Sequence, residues 1–380
     1  MSDHTHIEWT DSTWNPITGC SIVSAGCTNC YAMGLAGTRL KHHPSRAGLT
    51  RESGGRHLWT GEVRFNEEWI DQPLRWRKPR RIFVCAHGDL FHEAVPDEWI
   101  DRVFAVMALA PQHTFQVVTK RPERMRDYLT EREDREIGRA MDRQLTGPHP
   151  VPVLRNVWLG TSIEDQATAD ARIPHLLATP AAVRFVSAEP LLGPVSLEPF
   201  LPWPDSGGEL PDGTAFGCYD CDGGTCSNCP KDHAHYACEE GPRDAEGCPE
   251  WVHCERVTLD WVIVGGESGL RARPMHPDWV RVLRDQCQAA GAAFFFKQWG
   301  EWGPQTPYPV PAQLGEMTRF TITASTDRRR VGATVWRAGH GIYLPSEIMD
   351  RNGKRAAGRL LDGRAWDEMP EPTNGDLDHG

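Results

Sequence analysis

Three cysteines near the amino terminus have a spacing that suits a metal centre. Cys20, Cys27 and Cys30 form the pattern C-x6-C-x2-C, and Gly19 and Gly26 each precede one of them. Three thiolates on one loop can hold three corners of an iron–sulfur cubane and leave one iron open to a cofactor. A structural zinc ion with a fourth ligand from elsewhere is the alternative, because C-x2-C is also half of many zinc sites. Spacing alone does not separate the two.

A second group of cysteines lies within residues 203–256, a stretch rich in Gly, Pro and Asp and poor in aliphatic residues. Its members are Cys218, Cys221, Cys226, Cys229, Cys238, Cys248 and Cys254. Two C-x2-C pairs separated by four residues are typical of metal binding. A stretch with few apolar residues has little besides metal to stabilise a fold, so we expect one or two structural zinc ions here. An auxiliary iron–sulfur cluster is the alternative.

Further residues with useful chemistry follow short apolar runs. They are Cys85, Asp89, Glu93, Lys120, Ser162, Glu189, Gly265, Gly266, Glu267 and Gln298, together with Tyr31 directly after the third cysteine. Carboxylates accept hydrogen bonds, lysine binds carboxylate or phosphate, and glycines let a ligand approach the backbone. Each also has a plain interpretation: a small buried thiol for Cys85, solvated loop positions for the charged residues, and a tight turn for Gly-Gly-Glu.

These residues must be positioned by strands that alternate with helices. The apolar runs cover residues 82–87, 114–120, 156–161, 182–187, 261–266 and 293–297. Such near-continuous runs are typical of parallel strands buried on both faces. With a first strand near Ile17, about seven βα units predict an α/β fold, a full or partial parallel (β/α) barrel. A doubly wound open sheet is the alternative.

The barrel prediction divides the chain into three parts. We expect residues 1–202 and 257–302 to form the barrel, residues 203–256 to form the Cys-rich metal-binding insertion, and residues 303–380 to form a C-terminal extension with an acidic tail. The first cysteine group then follows the first strand, at the end of the barrel where active sites lie. That position favours the cluster over a structural zinc ion.

Composition limits the class of protein. The chain has 380 residues, of which 39% are hydrophobic and 24% charged, and this excludes a disordered, collagen-like or coiled-coil protein. It has neither a long apolar run nor a basic start followed by an apolar core, so we expect no membrane span, no signal peptide and a cytoplasmic location. The net charge of −11 argues against general coating of nucleic acid and leaves room for a local basic site. The densest basic run is residues 75–81, where Trp76 could stack on a base.

The segment WNP-x-TGC-x6-C-x2-CYA resembles the radical S-adenosylmethionine (SAM) enzymes in outline. The full set of motifs is similar to an uncharacterised phage-associated family of three-cysteine, radical-SAM-like proteins. The other matching segments are DLFHE (89–93), TKRPERM (119–125), NVWLGTSIEDQ (156–166), SAEPLLGP (187–194), WVIVGGESG (261–269), ARPMHPDW (272–279), FFFKQWGEW (294–302) and GKRAAGRLLDGRAWDEMP (353–370). The loop departs from the usual C-x3-C-x2-C spacing, because its first gap is six residues and Tyr31 follows the last cysteine.

This resemblance implies a radical-SAM barrel with a [4Fe–4S] cluster on the first three cysteines and with SAM on the fourth iron. One-electron reduction by a donor such as flavodoxin or ferredoxin would cleave SAM to methionine and a 5′-deoxyadenosyl radical, which abstracts hydrogen from the substrate. The phage association of the resembling family favours a nucleotide or nucleic acid as the substrate, which the enzyme would modify or repair, although no residue pattern indicates it.

The resemblance also implies roles for the strand-end residues. Cys85 would donate a hydrogen atom to a product radical, as a cysteine does in spore photoproduct lyase, a radical-SAM relative. Glu267 and Lys120 complete the expected catalytic set. The expected cofactor-binding residues are Tyr31, Asp89, Glu93, Ser162, Glu189, Gly265, Gly266 and Gln298. The alternative function is a non-catalytic, zinc-stabilised protein that binds nucleic acid or protein, in which both cysteine groups are structural.

Overall fold

The computed structural model describes residue 5 and residues 7–130, 153–202, 257–304, 317–324, 330–337 and 347–370. The predicted insertion, with its seven cysteines, lies outside the described residues, as does the acidic end of the chain from residue 371 onward.

Strands and helices are numbered in chain order. The strands are β1 (Ser12–Trp14), β2 (Ile17–Thr18), β3 (Thr50–Ser53), β4 (Arg56–Trp59), β5 (Arg64–Phe65), β6 (Arg81–Val84), β7 (Thr114–Thr119), β8 (Val157–Ser162), β9 (Val183–Ala188), β10 (Trp261–Gly265), β11 (Ala293–Gln298), β12 (Trp302–Pro304), β13 (Met317–Ala324), β14 (Arg330–Arg337) and β15 (Glu347–Arg351). The helices are α1 (Tyr31–Gly37), α2 (Asp97–Ala108), α3 (Pro122–Thr130), α4 (Gln166–Leu177), α5 (Pro277–Ala290) and α6 (Lys354–Ala357).

Seven strands form one parallel sheet in the order β1-β6-β7-β8-β9-β10-β11. From β6 onward, each strand pairs with the next strand of this sheet along the chain, and α2 to α5 lie in the connections between them. A doubly wound sheet would instead reverse its strand order at a switch point. The fold is therefore an α/β half-barrel, which confirms a partial parallel barrel.

The first strand differs from its prediction. β1 pairs with β6 at the edge of the parallel sheet, whereas Ile17 lies in β2, which pairs antiparallel with β5. Pro16 stands between the two strands and has no N–H to donate, so the parallel ladder cannot continue through it. Placing the first barrel strand near Ile17 was wrong, although that segment is extended.

The two faces of the sheet carry different side chains. The face toward the helices contributes aliphatic and aromatic residues such as Val84, Val117 and Phe296 to the main core. The concave face carries a separate aromatic cluster that includes Trp158, Phe185, Trp261 and Phe295, with Trp9 packed into it. This cluster fills the amino-terminal part of the concave face and forms its floor.

The edge of the sheet at β11 is covered by the end of the described chain. Phe296 donates its N–H to the carbonyl of Trp366 at 2.9 Å, and Phe295 forms an antiparallel bridge with Asp367. Trp366 is buried in the main core beside Phe294. Part of the predicted C-terminal extension thus packs on the half-barrel. The helices in the described part of the chain are all too short or too polar to cross a membrane.

A small lobe, residues 38–64, follows α1 and ends at the first residue of β5. Its centre is the antiparallel hairpin of β3 and β4, which packs against α1. Leu49 and Trp59 of this hairpin lobe form a small core with Ala32, Met33 and Ala36 of α1. Cys20 and Cys30 pack against the same core, so the hairpin lobe is a direct neighbour of the first cysteine group.

Candidate functional site

The first cysteine group lies on the loop of residues 19–30, between β2 and α1. Gly19 begins this cysteine loop with φ 98°, a backbone conformation that favours glycine. Its N–H donates to the carbonyl of His87 at 3.2 Å, beyond the carboxyl end of β6. The loop therefore sits at the carboxyl-terminal end of the half-barrel, where parallel-barrel enzymes place their active sites.

The three thiols influence one another electrostatically. Cys27 is buried, and Cys20 and Cys30 are partly buried. Burial raises the pKa of the Cys20 thiol to about 12, with the Asp89 carboxylate and Cys30 adding to the rise and Arg121 opposing it. Burial also raises the pKa of Cys30, and Cys27 adds to that rise. The raised pKa values keep the Cys20 and Cys30 thiols protonated without a metal, so binding a metal there must be coupled to loss of their protons.

The residues of the cysteine loop that could bind a metal are its three thiols. Among the described residues, no three His, Cys, Asp or Glu side chains converge closely enough to hold one metal ion. A cubane needs less convergence, because each thiolate binds a different iron atom. The three thiols lie on one loop, where Cys30 adds to the rise in the pKa of Cys20 and Cys27 adds to that of Cys30.

Arg121 ties the cysteine loop to β6 and β7. Its guanidinium donates to Ser21 Oγ at 2.6 Å and to Cys20 Sγ at 3.8 Å. The same group pairs with Asp89 at 2.9 Å and with Glu93 at 2.7 Å. Burial lowers the pKa of Arg121, but Asp89 and Glu93 outweigh it and raise the pKa above its ordinary value. The cation is thus permanent and lies beside the thiols, where it can offset thiolate charge.

Asp89 is saturated by the protein itself. Its Oδ1 accepts from Thr119 Oγ1 at 2.7 Å and from the N–H of Phe91 at 3.0 Å. Its Oδ2 accepts from Arg121 and from the N–H of Lys120 at 3.2 Å. A carboxylate offers about four acceptor positions, and all are used here. Asp89 therefore positions the end of β7 and leaves no acceptor for a ligand.

Glu164 ties the loop to β8. Its side chain is only 1% exposed, and it accepts from Lys120 at 2.7 Å, from Arg172 at 3.1 Å and from Ser24 Oγ at 2.9 Å. A Cβ at residue 26 would overlap this carboxylate, so Gly26 is required for the close approach of the loop. Lys120, predicted as catalytic, therefore stands in a buried ion pair directly beneath the cysteine loop.

Glu267 ties the loop to β10. It accepts from Arg273 Nη2 at 2.5 Å and Nε at 2.9 Å, and from Asn29 Nδ2 at 3.0 Å. Arg273 also donates to the loop carbonyl of Ala25 at 3.0 Å. Burial raises the pKa of Glu267, but the hydrogen bonds from Arg273 and Asn29 outweigh it, and the pKa lies below its ordinary value. Glu267 is thus a charged anchor for the loop.

Polar groups lie on the concave face above the aromatic floor. Side chains alternate between the faces of a strand, so Lys297 lies two residues beyond Phe295 on the concave face. Lys297 pairs with Glu189 at 2.9 Å, and Ser187 donates to the other oxygen of Glu189 at 3.1 Å. A Cβ at residue 265 would meet the Glu189 carboxylate, which explains Gly265. Unlike the Asp89 carboxylate, the Glu189 carboxylate has acceptor positions that the described residues leave open to a ligand.

Gln298 carries an unused acceptor. Its Nε2 donates to Ser268 Oγ at 3.2 Å, whereas its buried Oε1 has no hydrogen-bond partner among the described residues. Gly266 lies beside it against the backbone of Trp299, and a Cβ there would overlap the Trp299 carbonyl. Close strand packing therefore accounts for Gly266 without a ligand.

The remaining predicted residues have separate surroundings. Tyr31 donates its hydroxyl to the carbonyl of Ala86 at 2.6 Å and leaves its side chain half exposed. Cys85 is buried in the main core with φ 58°, and burial raises the pKa of its thiol to about 12. Ser162 accepts from Arg172 through its carbonyl at 2.7 Å. Glu93 is exposed apart from its contacts with Arg121 and His92.

Two other features lie away from the cysteine loop. A depression of about 480 Å³ is lined by Asp260, Gln288 and Glu368, among others, at the amino-terminal end of β10 and β11. Trp76, the aromatic residue of the basic run, is buried beneath Arg80, whose guanidinium lies 4.6 Å from the ring centre. Its ring face is therefore not open to a base.

The comparisons with known proteins identify one family. The family described as "Protein of unknown function (DUF5131)" matches residues 4–370. No curated protein and no solved structure matches the chain.

Proposed function

We propose a function for this chain, which belongs to the DUF5131 family of proteins of unknown function. The proposal is a radical SAM enzyme that holds a [4Fe–4S] cluster on Cys20, Cys27 and Cys30. The single observation that carries it is the position of the cysteine loop. Three neighbouring thiols lie over the carboxyl ends of a parallel half-barrel, and the loop that carries them is held by ion pairs whose carboxylates, Asp89, Glu164 and Glu267, are buried.

The free-energy cost of burying the charged groups around the cysteine loop supports a functional site. A buried ion pair contributes little net stability, because desolvation offsets the attraction between its charges. Here residues that follow β7, β8 and β10 all direct charged groups to one loop of twelve residues, numbers 19–30. A loop that only connected β2 to α1 would not need that precision. The arrangement instead suits a loop whose sulfur atoms must keep fixed positions.

The cluster with SAM on its open iron would supply, after one-electron reduction by a donor such as flavodoxin or ferredoxin, a 5′-deoxyadenosyl radical for hydrogen abstraction. The protein's own residues would then bind and orient. Glu189 and the free Oε1 of Gln298 can accept hydrogen bonds from amino or hydroxyl groups, and Lys297 can bind a carboxylate. The aromatic floor below them excludes water from the concave face.

The structure changes the roles proposed for three residues. Asp89 and Glu267 act through the cysteine loop, because their acceptors are filled by the protein. Cys85 lies in the main core, so its proposed role as a hydrogen donor requires the backbone near φ 58° to move. We propose Glu189 and Lys297 as the ligand-facing pair of the concave face and Gln298, the last residue of β11, as an acceptor at its end, with Lys120 beneath the loop.

The insertion and the location of the protein complete the proposal. The seven cysteines of residues 203–256 would bind structural zinc or an auxiliary cluster. A reducing, cytoplasmic environment would keep both cysteine groups available for metal.

The test is anaerobic reconstitution with iron and sulfide, followed by SAM and dithionite. The wild-type protein should release 5′-deoxyadenosine, and Cys27→Ala should release none. Cys287→Ala is the matched control, since Cys287 is a buried cysteine on α5 away from the loop, and it should retain the activity. A colourless protein that contains zinc and leaves SAM intact would instead support the non-catalytic binding protein.

A further inference from the structure

The hairpin lobe has the opposite charge to the rest of the chain. Residues 38–64 contain six Lys and Arg against two Asp and Glu, a net charge of +4 in a chain whose net charge is −11. Three histidines, His42, His43 and His57, lie in the same segment. A basic segment of this kind on an acidic protein creates a local attraction for anions that the whole-chain charge conceals.

The cations of the lobe are available to a partner. Arg39, Lys41, Arg51 and Arg56 are exposed, and none forms an ion pair with another residue in the described ranges. Elsewhere on the surface, Arg81, Arg102 and Arg284 are paired with carboxylates. The lobe thus combines a net positive charge with four exposed cations that no carboxylate in the described ranges pairs.

The hairpin register places two of these cations together. In the ladder of β3 with β4, Ser53 lies opposite Arg56 and Arg51 opposite Leu58. Residues two apart on one strand share a face, so Arg51 and Arg56 lie on the same face as diagonal neighbours. The opposite face carries Trp59, which packs on α1. The charged face is therefore held in a fixed orientation beside the cysteine loop.

Apolar side chains are exposed between the lobe and the opening of the concave face. Tyr31, the first residue of α1, is 54% exposed, and its ring is oriented by its hydrogen bond to Ala86. Ile22 and Val23 of the cysteine loop are also exposed. Tyr31 begins the helix on which the cationic hairpin packs. Proteins bind single strands with exposed aromatic rings, on which bases stack, and with cations, which follow the phosphates.

We propose that the hairpin lobe binds the sugar–phosphate backbone of a single nucleic-acid strand and delivers a base over Tyr31 toward the concave face. A single strand is favoured because the concave face lies beneath the cysteine loop, and a base must leave a duplex to reach such a recess. Delivery as a substrate rests on the proposed function, but binding to the lobe does not. The basic run of residues 75–81 is excluded as this surface, because it lies at the amino end of β6 and Trp76 is buried.

The test is fluorescence anisotropy with labelled single-stranded DNA and RNA of about 20 nucleotides, and with the corresponding duplex, using the full chain. Binding to either single strand should exceed binding to the duplex. Four phosphate contacts predict that the logarithm of the affinity falls with the logarithm of salt concentration at a slope of about −3. The double variant Arg51→Glu with Arg56→Glu should weaken binding at least roughly tenfold.

The matched control is Arg77→Glu with Lys78→Glu, which changes two exposed cations and the net charge by the same amount. It should change the affinity by less than about twofold. Equal losses in both double variants, absence of binding, or equal competition by poly-L-glutamate would overturn the proposal, the last in favour of an acidic protein partner. If the protein binds single strands but forms no cluster, the proposed binding surface stands and only the proposed enzymatic function is ruled out.

Discussion

Arg121 donates a hydrogen bond to the sulfur of Cys20 across 3.8 Å, although the two residues are 101 positions apart in the chain. The same guanidinium is paired with the buried carboxylate of Asp89. One residue at the end of β7 therefore connects the interior of the half-barrel to the cysteine loop. The position of the first thiol depends on an ion pair that the loop does not itself contain.

Replacing Arg121 by Met should lower the free energy of unfolding by about 3–5 kcal/mol, because Asp89 stays buried without its cation. The side chains of Arg121 and Asp89 are only 6% and 7% exposed. Urea unfolding of the metal-free protein measures the change. Arg75→Met is the control, since its pair with Asp71 is exposed on both sides and should contribute less than about 1 kcal/mol. Similar small losses in both variants would contradict the proposed anchoring.

Replacing Gly26 by Ala should destabilise the protein by about 1–3 kcal/mol, because the new methyl group overlaps Glu164 and must displace it. The displacement also disturbs Lys120 beneath the loop, so iron bound after reconstitution should fall. Gly34→Ala is the control: a Cβ there meets nothing within 4 Å in α1, and Ala should stabilise the helix by up to about 1 kcal/mol. A Gly26→Ala protein with the same free energy of unfolding and the same iron content as the wild type would show that the loop is not held against Glu164.

Replacing Glu267 by Gln should make the free energy of unfolding fall less steeply as the pH decreases. The folded-state pKa of Glu267 lies below its ordinary value of 4.5 despite desolvation, because Arg273 and Asn29 stabilise the carboxylate. A lowered pKa contributes stability above 4.5 that disappears as the pH falls through the lower, folded-state value. Unfolding measured between about pH 6 and pH 3 should therefore decline less steeply in the variant than in the wild type. Parallel curves would mean that the carboxylate does not anchor the loop.

The main sheet was predictable because its strands are apolar runs buried on both faces. β7 and β11 begin and end close to the predicted runs. β1 escaped prediction because Ser12–Trp14 is short and contains only one apolar residue, whereas the following Ile17 looked more like a strand. Three residues at a sheet edge are positioned by pairing with β6, and that pairing leaves no signal in their own composition.

The sequence indicated where the residues of the candidate site lie, but not which hydrogen-bond and ion-pair partners they have. Lys120, Glu189 and Glu267 follow strands, and the barrel prediction placed them at one end of the sheet. Their partners are separated from them by up to 238 positions, as for Asn29 and Glu267. Sheet curvature decides which of these groups meet. Arg273 gave no signal beyond its place in the ARPMHPDW segment, because a single arginine in a loop is usually a solvated residue.

The most direct measurement of the central claim is electron paramagnetic resonance of the reconstituted, reduced protein before and after addition of SAM. An iron that lacks a protein ligand predicts a cluster signal that changes when SAM is added, is lost in Cys27→Ala and is retained in Cys287→Ala. A signal that SAM leaves unchanged, or that survives Cys27→Ala, would contradict an open iron site on the cysteine loop.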